Sequence, residues 1–199
     1  MPKVLLTAFE PYDRWKTNAS WLALVQLTHN MPAQPAITTR LYPVDFSAVC
    51  QRLTKDLADN YDFAIHVGQS PGSGRIQLES IGLNIGGASN QPAEQYESLV
   101  QDGPVAYQSD LPLVTWARKL QETGIPAQVS YHAGTYLCNA TLYLSHYLSQ
   151  QQARRTRSAF IHVPLDVSQV VGCRENLASM PSAMTASALR IVLEAIAQM

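Results

Sequence analysis

Cysteine is scarce in this sequence of 199 residues, and its three copies, Cys50, Cys138 and Cys173, are odd in number and far apart. That argues against a disulfide framework and leads us to expect a reducing compartment. Excess charge is absent as well: 14 Lys and Arg stand against 15 Asp and Glu, for a net charge of −1. Nucleic acids and anionic membranes select a concentrated basic face, so neither is expected as a partner. The one basic cluster, Arg154-Arg155-Thr156-Arg157, falls between a helix-like and a strand-like segment and reads as a solvated connector. Apolar runs of membrane-spanning length are lacking. Met1-Pro2-Lys3-Val4-Leu5-Leu6-Thr7 lacks the long apolar region and cleavage site of a signal peptide, so a soluble, cytoplasmic protein is the expectation. No Cys or His pair has zinc-ligand spacing, and neither a metal nor another cofactor is expected. Gly68-Gln69-Ser70-Pro71-Gly72-Ser73-Gly74 is glycine-rich but lacks the GxGxxG spacing and a following Lys-Ser or Lys-Thr, which disfavours a nucleotide. It reads instead as a loop whose backbone amides approach a small ligand.

Internal repeats, low-complexity tracts and linkers are missing too, and the length suits one α/β domain over residues 1–199. Short apolar strands are expected at Val4 to Phe9, Ile37 to Tyr42, Phe63 to Val67, Arg75 to Ile85, Ala127 to Tyr131 and Ala159 to Pro164. Amphipathic helices are expected between them: behind the cap signal Asn18-Ala19-Ser20, over Asp45 to Asp59, over Pro112 to Thr123, behind Cys138, and over Ser182 to Gln198. This alternation predicts a layered α/β/α architecture with a twisted, mostly parallel central sheet and helices on both faces. Few apolar residues recur between Ile85 and Leu111, and so long an irregular connection is expected to be a lid over the active site.

The chemistry centres on Ser130-Tyr131-His132-Ala133-Gly134-Thr135-Tyr136-Leu137-Cys138-Asn139, where a strand passes through a glycine turn into a helix. Ala140, Leu142, Tyr143, Tyr147 and Leu148 follow at helical spacing, which puts Cys138 in or beside the first helical turn. Free N–H groups and the positive end of the macrodipole stabilise an anion there, and thiolates at such positions have pKa values lowered into the ~3.5–7.5 range. The same amides can receive a developing oxyanion. A buried structural cysteine is the alternative reading.

His162, near the end of its strand, is either a core histidine or a base facing the same edge as Cys138. Alternation puts Glu79 on the face of Ile81, Leu83 and Ile85, where a carboxylate is costly unless paired. Either the register breaks near Ser80 and turns Glu79 outward, or Glu79 orients a histidine. Phe9 and Tyr12 are either packing or pocket wall. Cys138, His162 and Glu79 have the types of nucleophile, base and orienting acid, while His132 is a rival base.

Phe9-Glu10-Pro11-Tyr12, Val67-Gly68-Gln69, Ile76-Gln77-Leu78-Glu79, Asp102-Gly103-Pro104-Val105-Ala106-Tyr107, Ala133-Gly134-Thr135-Tyr136-Leu137-Cys138-Asn139 and Phe160-Ile161-His162-Val163-Pro164 occur in this order. In this the chain resembles the pyroglutamyl peptidase I family of cysteine peptidases over nearly its whole length. The resemblance implies a cytoplasmic enzyme, in many members a homo-oligomer, that removes an N-terminal pyroglutamyl residue from small peptides with a blocked N-terminus. It implies Cys138 as nucleophile, His162 as base and Glu79 as third member of a triad. Phe9, Tyr12, Gln69, Tyr136 and Leu137 fall where the family lines its substrate pocket.

Two segments depart from the family. Pro71-Gly72-Ser73 stands where Gly-Gly-Arg is usual, and Gly87-Ala88-Ser89-Asn90 where Asp-Ala-Arg-Ile is usual. The two pocket aromatics Tyr12 and Tyr136 replace phenylalanines. These departures keep open a related cysteine amidase acting on another cyclic or blocked amide, and an inactive small-ligand binder on the same scaffold.

Overall fold

The computed structural model describes residues 1–88, 91–152 and 155–199. Its core is a six-stranded sheet in which strand alternation divides two apolar layers. In chain order the first elements are β1 (Lys3–Phe9), α1 (Ala19–Thr28), β2 (Ala36–Tyr42), α2 (Phe46–Leu57), β3 (Phe63–Gln69), β4 (Ile76–Glu79) and β5 (Ile81–Leu83). After a 3₁₀ turn at Ala93–Gln95 come β6 (Ala106–Gln108), α3 (Leu113–Glu122), β7 (Ala127–Ser130), α4 (Leu137–Gln151), β8 (Arg157–Val163), α5 (Val167–Val170) and α6 (Ser182–Ala197). The strand order is β2-β1-β3-β8-β4-β7. Strands β2, β1, β3 and β8 are mutually parallel, whereas β4 runs antiparallel to β8 and takes β7 with it.

Val4, Leu6 and Ala8 of β1 point to one face with Ile65 and Val67 of β3, where α1, α3 and α6 cover them. Leu5 and Phe9 point to the other, with Ala64 and Phe160, beneath α2 and α4. Caps fix the helix starts: Asn18 Oδ1 accepts from Ser20 N at 3.0 Å, and Asp45 Oδ1 from Ala48 N at 2.8 Å. Among the described residues no helix is long and apolar enough to cross a membrane.

Three details differ from the sequence reading. The run from Arg75 to Ile85 is not one strand: β4 ends at Glu79, and β5 joins β6 in a separate two-stranded sheet. The break is at Ser80, whose N–H bonds Ser130 O while its carbonyl takes Ser109 N. Beyond it Gly82 lies flat on α4, where a Cβ would stand 2.8 Å from Tyr143 N. The helix α5 and the strand β6 carry too few residues to display a period. Arg157 is part of β8 rather than of a connector, paired with Asp110 at 2.9 Å, while Arg154 lies outside the described residues.

The stretch expected to be a lid is tied down where it is described. Asn84 Nδ2 donates to Val100 O at 2.8 Å, Tyr143 Oη to Pro104 O at 2.8 Å, and Gly86 and Glu97 form a β-bridge.

His66 of β3 is fully buried, and His146 of α4, half-buried, stacks on Tyr107 of β6 with ring centroids 5.7 Å apart. Burial, with His146 nearby, pushes the His66 pKa down to about 3. Burial pushes that of His146 down to about 4 against the opposing pull of Asp110. Both stay neutral in the folded state while the unfolded chain takes up protons below 6.5, so stability falls as pH drops from 6.5 toward 4. Each histidine removes on the order of 1–2 kcal/mol by about pH 5. Chemical denaturation of His146→Gln beside the wild type at pH 7 and pH 5 isolates one of them. The wild type's stability relative to the variant should drop by about that amount at the lower pH; a difference that does not change contradicts this.

Candidate active site

The same alternation that builds the sheet puts Gly68 of β3, His162 of β8 and Glu79 of β4 on the side facing α4. Gly68 pairs with His162 in parallel register, and Gln77 with His162 in antiparallel register, leaving Glu79 diagonal to the imidazole. His162 Nδ1 is 2.8 Å from Glu79 Oε1. Glu79 has no solvent exposure, so the break at Ser80 does not turn it outward. Its second oxygen, Oε2, is buried without a hydrogen-bond partner among the described residues. A buried carboxylate spent on one imidazole is costly for stability and is a feature of sites rather than of cores.

Cys138 is the second residue of α4. Position 68 must be glycine for the sulfur to lie where it does: a Cβ there would stand 3.0 Å from Cys138 Sγ and 2.6 Å from Phe160 Cζ. Asn139, the next residue, is fully buried and anchors the helix start to β5. Its Oδ1 accepts from Leu83 N at 2.8 Å, and its Nδ2 donates to Leu83 O and Ile85 O at 2.9 Å each. The first-turn amides of α4 have no carbonyl of their own helix to bond, which leaves donors beside the sulfur.

Cys138 lies close enough to His162 to act on its charge. Burial lowers the His162 pKa, but the charge on and hydrogen bond to Cys138, and then Glu79, more than offset this and push it up to about 10. At neutral pH the ring is therefore an imidazolium, set between Cys138 and Glu79. His132 also lines the cavity, but its Nδ1 accepts from Gly134 N at 3.0 Å, and no carboxylate among the described residues pairs with it. Cys50 lies in α2 and Cys173 is exposed in a loop.

Cys138 and His162 open on one cavity of about 460 Å³. Every residue that the resemblance assigned to a substrate pocket lines it: Phe9, Tyr12, Gln69, Tyr136 and Leu137. Phe9 is held by Phe160 and Tyr42, with ring centroids 6.2 and 6.3 Å away, and Tyr136 stands edge-on to Phe46 at 5.3 Å. Burial, then the nearby Cys138, push the Tyr12 pKa up to about 12, against the pull of Gln69. The Tyr136 pKa is also raised, by burial first and by Asp45 and Cys138 after it. Both phenols thus stay protonated donors on the cavity wall. Pro71 of the first departing segment borders the cavity as well. In the second, Ser89 and Asn90 lie outside the described residues, while Gly87 N donates to Thr135 O at 2.8 Å. Asn18, Val44 and Gln77 also line the cavity; the sequence marked Asn18 only as a helix cap, Gln77 only as part of a motif and Val44 not at all. Asn139 stands within the motif that ends on it, but nothing in the sequence signalled its anchoring role.

Comparison with known proteins gives the family. A family model described as pyroglutamyl peptidase matches residues 2–199. The pyrrolidone-carboxylate peptidase of Clavibacter michiganensis is 36% identical over 180 residues, covering 86% of this chain and 83% of its own. The one from Staphylococcus aureus is 33% identical over 198 residues, covering 97% and 92%. Among solved structures, pyrrolidone carboxyl peptidase from Fervidobacterium islandicum superposes with a TM-score of 0.93 at 29% identity, covering 100% of this chain and 99% of its own. That from Pyrococcus furiosus gives 0.90 at 34% identity, covering 98% of each. Matched in sequence and in fold from end to end, the chain belongs to the pyroglutamyl peptidase family.

Proposed function

We propose that this protein is a cysteine peptidase that hydrolyses the amide bond after an N-terminal pyroglutamyl residue, with Cys138 as nucleophile, His162 as acid and base, and Glu79 as the group that orients and charges His162. The observation that carries the reading is the buried His162–Glu79 pair, 2.8 Å apart, set against Cys138 at the start of a helix. Membership of the family supports the substrate class.

In this reading the Cys138 thiolate attacks the scissile carbonyl, and the first-turn amides of α4 receive the oxyanion. The C–N bond breaks as the His162 imidazolium gives its proton to the leaving amine, and a thioester remains on Cys138. His162 then takes a proton from water as it attacks the thioester, releasing pyroglutamate and restoring the thiolate and imidazolium. The ring of the substrate is flat, compact and without a free α-amine. A cavity walled by Phe9, Tyr136 and Leu137 suits it without a charged anchor.

A chromogenic pyroglutamyl amide offered beside acetyl and other cyclic amides tests the assignment. Hydrolysis of the pyroglutamyl compound at least tenfold faster than the others is expected, by the usual worth of a polar contact in a fitted site. The Tyr12 and Tyr136 hydroxyls favour the second reading, a cysteine amidase of another blocked amide, and faster turnover of a different compound would establish it instead.

A further inference from the structure

Gln69 is almost fully buried, at 4% exposure, and its side-chain amide is asymmetrically engaged. Its Oε1 accepts twice, from Ala19 N at 2.9 Å and from Gln169 Nε2 at 2.7 Å. Its Nε2 is buried with no hydrogen-bond partner among the described residues, and Gln69 lines the cavity beside Tyr12. The orientation is not arbitrary. A backbone N–H only donates, so the Gln69 atom facing Ala19 N must be the oxygen.

Gln169, in α5, is oriented by the same rule. Its Oε1 accepts from Asp166 N at 2.8 Å, closing a capping box, so its nitrogen is the end that reaches inward. That nitrogen donates to Thr17 O at 2.9 Å and to Gln69 Oε1. Backbone groups at positions 19, 166 and 17 thereby determine which end of each amide points where.

We infer that Gln169 is a positioning residue for substrate specificity: it fixes the Gln69 amide so that Nε2 is presented to the cavity as a desolvated donor for the ring carbonyl of the substrate. The inference rests on the proposed pyroglutamyl peptidase activity and adds a determinant to it. An apolar wall admits any flat five-membered ring, and a buried donor without a partner selects a ring that brings an acceptor. The short α5 then has a role beyond connecting β8 to α6.

Two variants separate positioning from structure. Gln169→Glu keeps an oxygen for Asp166 N, since glutamate is itself a capping-box residue, but its ionised carboxylate has no donor for Gln69 Oε1. Gln169→Ala loses both. With a pyroglutamyl amide as substrate, KM should rise on the order of tenfold in Gln169→Glu, as far as in Gln169→Ala, while kcat falls less. The rate of Cys138 alkylation, which reads the thiolate without using the pocket, should stay within about twofold of wild type. Wild-type kinetics in Gln169→Glu, with losses confined to Gln169→Ala, would reduce Gln169 to a helix cap and overturn the inference. So would a parallel fall in the alkylation rate, which reports a displaced Cys138. Failure of the wild type itself to cleave the pyroglutamyl amide is a separate outcome and overturns the activity on which the inference stands.

Discussion

Cys138→Ala should abolish hydrolysis of a pyroglutamyl amide, with kcat/KM reduced on the order of 10⁴–10⁶-fold, the scale on which a covalent nucleophile is lost. The fold should survive, since alanine is the best helix former and Cys138 is only partly buried at the start of α4. A thermal midpoint within a few degrees of wild type checks that. The matching variants at Cys50 and Cys173 should keep their activity. Alkylation of the wild type adds an independent check: Cys173 is the most exposed thiol, so exposure alone ranks it first, whereas the account requires Cys138 to react first at neutral pH. Residual activity near the wild-type level in Cys138→Ala contradicts the role assigned to it.

Glu79→Gln should cost activity without unfolding the chain. Glutamine keeps the shape and an oxygen for His162 Nδ1, but removes the charge that helps hold the imidazolium. By analogy with other nucleophile–base–acid triads, kcat should fall on the order of 10²–10⁴-fold. The fold should survive, because glutamine keeps the shape and the acceptor for Nδ1, although stability should fall as the buried imidazolium loses its charged partner. The pH profile should move as well. Activity needs a protonated His162 to release the amine, so the wild type should lose activity as pH rises through about 10. Without the Glu79 charge the alkaline limb should shift to lower pH. An unshifted limb with full activity would leave Glu79 a structural residue.

Much of this was legible in the sequence because the strands and helices display their period. Ala19–Thr28, Phe46–Leu57 and Leu113–Glu122 start at caps or prolines within two residues of where the pattern puts them. The site was less so. Strand alternation puts Glu79 on an apolar face but says nothing of its partner, which comes from a register 83 positions away. The break at Ser80 depends on tertiary pairing with Ser130 and Ser109, and no local residue preference announces it. Gln169 was invisible for a similar reason. A four-residue helix has no amphipathic face to read, and the bond to Gln69 spans 100 positions. Asn139 stood within a motif, but its bonds to Leu83 and Ile85 explain the position only once β5 is seen against α4.

The central claim is that catalysis passes through a thioester on Cys138. Rapid acid quench during turnover of a pyroglutamyl amide, followed by mass spectrometry of the digested protein, tests it most directly. One pyroglutamyl group on the peptide containing Cys138, present during turnover and gone when substrate is exhausted, is the predicted result. An acyl group on Cys50 or Cys173 instead, or undiminished turnover in Cys138→Ala, would contradict it.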